Sequence, residues 1–348
     1  MVLLAPVVQV DPLLSSPGSE SACEAASRAS DALRAAGCFY ARGWLRGGSD
    51  EAAQAALDAA YGAGALLPEL PAELKRRAHV AEVRHLGQRG GYKGLLEEPA
   101  YRPGELSQNE DWIFMRGGPE GPAWFPASEL WPEQGAEARF RPALQALYQC
   151  FDDLATVLVG ALDGAFGIDA ARWQLRGRGP CMSMKHYPPI KEDAGGPGPR
   201  LVGISAHTDF ESYVSVLHQS APGLEVLVGD SWEASSPPPG CLLVIAGDVL
   251  ENLTGGAVKS AVHRVGQVSH SRLAAQLFVN NFDPAMPFGE GGQTFGDYVK
   301  SHWTTATEDL SEALTQRPSE RNDMEGGSKR PRIEGVLGAH LDEHGRTL

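Results

Sequence analysis

The sequence is short of positive charge: 30 Lys and Arg stand against 44 Asp and Glu, for a net charge of −14 over 348 residues. An acidic surface repels phosphate backbones, so nucleic acid is not an expected partner. Cysteine is sparse and unpaired in pattern. The five residues (Cys23, Cys38, Cys150, Cys181, Cys241) are odd in number and nowhere spaced Cys-x-x-Cys. Free thiols in a reducing compartment fit this better than a disulfide framework. No stretch approaches the roughly 20 apolar residues of a membrane-spanning helix. The opening Met1-Val2-Leu3-Leu4-Ala5-Pro6 lacks the basic segment and the long apolar run of a signal peptide. The expectation is a soluble, intracellular and cytoplasmic protein. Lys329-Arg330-Pro331-Arg332 could be a nuclear address, although a short charged run is usually an ordinary part of a polar tail.

What is present begins with helical spacing. Ala22, Cys23, Ala26, Ala29, Leu33 and Ala36 form one face of a helix over 21–36, which Gly37 is placed to end. Val7 to Asp11 and Cys38 to Tyr40 read as short strands on either side of it. Further helices are expected over 50–61 and 71–78. The strongest runs from Pro142 through Leu144, Leu147, Phe151, Leu154, Leu158 and Leu162, a core-packing stripe. Residues 87–125 are rich in Gly and Pro and read as loop. Beyond Trp173 the pattern changes to short β-branched and aromatic runs: 182–187, 213–217, 224–228, 241–245, 258–264 and 273–279. Such spacing predicts a sandwich or barrel. The fold class expected is mainly β, a double-stranded β-helix (jelly-roll) core flanked by α-helices. The divisions are 1–170 (helical and mixed, packed on the core), 171–315 (jelly roll) and 316–348 (disordered tail), with a further helix opening near 298–303.

The chemistry lies in His207-Thr208-Asp209 and, some fifty residues on, His263-Arg264-Val265. Residues i and i+2 of an extended segment share a face, which puts His207 and Asp209 together. His263 follows another strand-like run and can reach them from across a small barrel. Two imidazoles and one carboxylate on one face of a metal leave the opposite positions open, the arrangement of non-haem ferrous oxygenases. His218 and His270 are nearby but read as packed or surface histidines.

Around these residues stand Gly203-Ile204-Ser205-Ala206, Gly223-Leu224-Glu225-Val226, Asp230-Ser231-Trp232, Gly247-Asp248, Thr254-Gly255-Gly256, Lys259-Ser260 and Arg272. In this order the series resembles the Fe(II)- and 2-oxoglutarate-dependent dioxygenases of the isopenicillin N synthase-like class. The resemblance implies Fe(II) held by His207, Asp209 and His263, with 2-oxoglutarate as cosubstrate and ascorbate as a further candidate. It implies oxidation of a small organic molecule (hydroxylation, desaturation or ring closure), with release of succinate and CO2. It assigns the distal carboxylate of 2-oxoglutarate to Arg272 and to Tyr187 of Lys185-His186-Tyr187-Pro188. Arg264, Trp232 and Asp248 it assigns to structure. Phe210, Trp112 and Phe282 are candidates for the substrate pocket.

Two departures stand out. Ala274 replaces the serine of the family's Arg-x-Ser, and a lost hydrogen bond to a charged group costs about 1.5–3 kcal/mol. Cosubstrate binding then weakens roughly ten- to a hundredfold unless another donor compensates; His270 is the candidate. Lys185 replaces the usual Asn, and the common place for a lysine is the surface, though it could also pair with an acidic cosubstrate or substrate. Ala274 keeps open an iron-dependent oxidase that uses no 2-oxoglutarate. A non-catalytic binding protein on the same fold is the remaining alternative.

Overall fold

The computed structural model describes residues 4–86, 89–98, 101–117, 123–132, 138–169, 179–191, 198–280, 282–289 and 291–316. The tail expected from residue 316, with Lys329–Arg332, lies outside them from 317 onward. Among the described residues no helix is long and apolar enough to cross a membrane.

The strands are β1 (Val7–Gln9), β2 (Cys38–Arg42), β3 (Gly91–Lys93), β4 (Glu105–Ser107), β5 (Glu110–Arg116), β6 (Trp124–Phe125), β7 (Cys181–Tyr187), β8 (Arg200–Val202), β9 (Ile204–His207), β10 (Val214–Gln219), β11 (Leu224–Val228), β12 (Ser231–Ala234), β13 (Cys241–Ala246), β14 (His263–Val265) and β15 (Arg272–Phe278). The helices are α1 (Asp11–Ser15), α2 (Glu20–Ala36), α3 (Asp50–Gly64), α4 (Ala72–Arg77), α5 (Val80–His85), α6 (Phe140–Phe166), α7 (Asp248–Leu253) and α8 (Phe295–Gln316).

A major sheet runs β1-β2-β13-β10-β15-β7-β5-β3, with β6 paired to β5; a minor sheet runs β12-β11-β14-β9. The pair of sheets, with helices against the outside of the larger one, is the expected jelly roll. Period-2 alternation explains the layering. On β7, Met182 and Met184 join the apolar core shared with α6, while Cys181, Ser183, Lys185 and Tyr187 face the cavity between the sheets. On β15, Leu273, Ala275 and Leu277 face the helices; Arg272, Ala274, Gln276 and Phe278 face the cavity. A second apolar cluster, including Tyr40, Leu243, Ile245, Val226 and Val265, fills the space between the sheets at their other end.

Helix ends follow their sequence signals. Ser19 caps α2 by accepting from the Ala22 amide, and Gly37 ends it at φ 67, donating to the Leu33 carbonyl. Two expectations need correction. Residues 110–116 are a buried strand of the major sheet, not loop. The first 170 residues therefore join the core through β1, β2, β3, β5 and β6 as well as through helix packing. Conversely, 258–262 are not a strand: the Val258 and Ser260 amides donate to Thr254 Oγ1 and Glu251 Oε2, and β14 is confined to His263–Val265.

Candidate metal centre

His207 ends β9 and His263 opens β14, and the two are register partners in the minor sheet. His263 thus arrives from the adjacent strand rather than from across the barrel. Asp209 lies in the turn just past the strand end. The Nε2 atoms of His207 and His263 stand 3.9 and 3.7 Å from Asp209 Oδ1. All three ligand atoms fall within 4.8 Å of one another.

The surroundings orient each group. His207 Nδ1 donates to the Ser205 carbonyl (2.7 Å) and His263 Nδ1 to that of Ala261 (2.9 Å). These bonds place the proton on Nδ1 and leave each Nε2 lone pair directed inward. Burial, and then the neighbouring His263, lower the His207 pKa to about 3, so its ring is neutral and free to ligate. Asp209 Oδ2 accepts from Ser215 Oγ (2.6 Å) and Gln276 Nε2 (2.9 Å), which leaves Oδ1 for an ion. Behind the turn, Asp248 accepts from Thr208 Oγ1 and from the Tyr298 hydroxyl of α8. Gly247 belongs to the same support: a Cβ there would lie 2.7 Å from the Asp209 carbonyl oxygen and 2.1 Å from that of Ser212.

One end of the cavity is closed by Arg272, which is 2% exposed. Its Nε donates to the Ala221 carbonyl (3.3 Å) and its Nη2 to Gln219 Oε1 (2.7 Å), while the guanidinium lies 4.5 Å from the Tyr187 ring centre. Its Nη1 is buried without a partner. An unmet buried donor costs about 1–3 kcal/mol, so this atom calls for an anionic ligand. Tyr187, the cross-strand partner of Arg272, lines the same space. The donor set therefore fits both groups implied by the sequence: N,N,O ligation for Fe(II) and a buried cation for the far carboxylate of 2-oxoglutarate.

Other expectations are redistributed. His270 is exposed and bonds the Pro222 carbonyl, so it does not stand in for the missing serine. His218 is packed against Tyr61, whose hydroxyl lies 2.9 Å from its Nδ1. Arg264 stacks on Trp232 at 4.0 Å and pairs with Glu225, a structural role. Phe210 lines the cavity, packed against His302 and Trp303 of α8. Trp112 and Phe282 do not: Trp112 sits in the helix-side core against Trp131 and Phe140, and Phe282 against Phe295.

Lys185 is buried, not on the surface. It pairs with Asp111 (2.8 Å) and Glu98 (3.3 Å); Lys93 pairs with Glu98 and lies 3.8 Å from Asp111, and Ser183 Oγ donates to Asp111 Oδ1 (2.5 Å). Burial alone would lower the Lys185 pKa, but Asp111 and Glu98 hold it above the usual lysine range. Glu98 in turn accepts from the Tyr101 hydroxyl. Of this group the sequence singles out Lys185 alone; Lys93, Glu98, Asp111 and Ser183, like Gln219 and Gln276, stay hidden in it. The available signal was polar residues at 183 and 185 inside an otherwise buried run. A carboxyl at Glu211, raised to about 7 by burial, also lines the cavity and accepts from Trp303 Nε1.

The sequence pattern of the 2OG-Fe(II) oxygenase superfamily matches residues 178–281, which contain all three ligand candidates and Arg272. A 2-oxoglutarate-dependent dioxygenase of Didymella fabae is 26% identical over 76% of this chain and 81% of its own. A leucoanthocyanidin dioxygenase of Malus domestica is 28% identical over 62% of this chain and 58% of its own. Among solved structures, a full-length Neurospora crassa protein in complex with alpha-KG and thymine superimposes with a TM-score of 0.66 at 18% identity, covering 86% of this chain and 97% of its own. The dioxygenase for auxin oxidation of rice does so at 0.60 and 21%, covering 86% and 95%. Residues 178–281 of this chain thus carry the sequence pattern of the 2OG-Fe(II) oxygenase superfamily, on a fold shared with solved structures of comparable length.

Proposed function

We propose that this chain is a dioxygenase that uses Fe(II) and 2-oxoglutarate to oxidise a small organic molecule. His207, Asp209 and His263 hold the metal through Nε2, Oδ1 and Nε2, and Arg272 with Tyr187 holds the far carboxylate of the cosubstrate. When bound, the metal and 2-oxoglutarate supply the oxidising chemistry, with succinate and CO2 released. The protein's share is placement. Ser215 and Gln276 keep one carboxylate oxygen of Asp209 engaged so that the other is presented to the ion. The backbone carbonyls of Ser205 and Ala261 hold both imidazoles in one tautomer.

The observation that carries this reading is Arg272 Nη1, buried and unpartnered in the same cavity as the three ligand atoms. The substrate side of the cavity is polar as well as aromatic. Each lysine carries three N–H donors, and Lys93 and Lys185 each face the same two carboxylates. The donors left over favour a small substrate bearing a carbonyl or carboxylate oxygen. The test is succinate release from 2-oxoglutarate by protein reconstituted with Fe(II) under air. Release that stops on chelation and returns with Fe(II) is expected; iron binding with no succinate formed would contradict the reading.

A further inference from the structure

Ala274 leaves the far-carboxylate site one hydroxyl short, and the sheet register shows what stands opposite. On β10, Gln219 is the direct cross-strand partner of Ala274, and both side chains line the cavity. We propose that Gln219 is a positioning residue for 2-oxoglutarate, which compensates for the absent serine by fixing Arg272 from the neighbouring strand; the proposal rests on the function given above.

The geometry is specific to this pair of positions. Gln219 Oε1 accepts from Arg272 Nη2 (2.7 Å) and from the Leu224 amide (3.1 Å), while Nε2 donates to the Ser235 carbonyl (2.7 Å). Two donors on one atom and an acceptor at the other settle which end of the carboxamide is oxygen. With the Ala221 carbonyl on Nε, the guanidinium is held along one edge, and Nη1 is left buried without a partner. The Tyr187 ring supports its face. Gly223 allows the close packing: at φ 150, a Cβ would lie 3.0 Å from Arg272 Cδ. An arginine immobilised in the folded protein loses little further freedom on gripping a carboxylate, so affinity is retained with fewer direct donors. His270 cannot do this from the surface, and Lys185, the partner of Ala274 on its other side, is engaged by Asp111 and Glu98.

The bond to Leu224 also closes the turn after β10, and that to Ser235 ties this turn to the chain following β12, so a purely structural role must be separated from the positioning one. The probe is 2-oxoglutarate itself, titrated anaerobically into the Fe(II)-loaded full chain and followed by absorbance. Four variants are compared with the wild type: Gln219→Ala, Gln219→Glu, Ala274→Ser and the double variant Gln219→Ala/Ala274→Ser. Gln219→Ala is expected to raise the Kd for 2-oxoglutarate roughly tenfold while Fe(II) affinity stays at the wild-type value. Gln219→Glu keeps an acceptor for Arg272 and Leu224 but places a competing carboxylate on the guanidinium, so it weakens binding further.

Ala274→Ser changes the wild-type Kd by less than about threefold, yet recovers most of the loss in the Gln219→Ala background, because coupled positions are not additive. A wild-type Kd in Gln219→Ala, or equal tightening by Ala274→Ser in both backgrounds, overturns the proposal. If Gln219→Ala does not fold, wild-type binding by Gln219→Glu overturns it instead. Failure of the wild type to bind 2-oxoglutarate would sink the proposed function as well, whereas normal wild-type binding with an unaffected Gln219→Ala sinks only the role of Gln219.

Discussion

Tyr101 lies flat against His207: the ring centroids are 4.6 Å apart and the planes differ by 14°. Its hydroxyl donates to Glu98, which is itself clamped by Lys93 and Lys185. A buried ion cluster thus ties the chain around residue 98 to an imidazole of the proposed metal centre. Stacked aromatic pairs contribute about 0.5–1.5 kcal/mol beyond area burial. Tyr101→Ala is therefore expected to lower Fe(II) affinity by roughly two- to tenfold, measured by anaerobic titration. Tyr101→Phe, which keeps the stack and loses only the Glu98 bond, should stay near wild type.

The lysines are expected to matter for stability. Removing one partner of a buried charge pair costs about 3–5 kcal/mol, because the remaining charge is left uncompensated. Lys185→Met leaves Asp111 and Glu98 sharing Lys93 alone, and urea unfolding should show a loss of that order. The exposed pair Arg28–Glu24 is the control: Arg28→Ala should change stability by less than about 1 kcal/mol.

Asp209 depends on the two groups that occupy its second oxygen. Hydrogen-bond partners of metal ligands typically account for 10–100-fold in metal affinity or activity. Gln276→Leu and Ser215→Ala should each weaken Fe(II) binding by about tenfold, read from metal titrations. Because both act on the same oxygen, the double variant should lose less than the product of the two.

The proposed metal centre is legible because its signal is short-range: His207 and Asp209 are two residues apart at a strand end, and His263 heads a recognisable triplet. The helices at 20–36 and 140–166 were legible for the same reason, through three- and four-residue spacing and Gly37. What escaped depended on pairing between distant strands. The strand at 110–116 is buried on both faces, with Trp112 and Phe114 toward the helices and Asp111, Ile113 and Met115 toward the cavity. Its charged residues read as loop until Lys185 is placed opposite Asp111. Ala274 showed that a hydroxyl was missing; only the register β10–β15 shows that Gln219 stands beside it. His270 lies near Arg272 in sequence, but its side chain points to solvent and the Pro222 carbonyl.

The central claim is that one ferrous ion is held by His207, Asp209 and His263 together. Its most direct test is anaerobic Fe(II) titration of the full chain, wild type against His263→Ala. The prediction is one tightly bound Fe(II) per wild-type chain, and no tight binding in a His263→Ala protein whose unfolding curve is otherwise normal. Tight stoichiometric iron retained by that variant would contradict it.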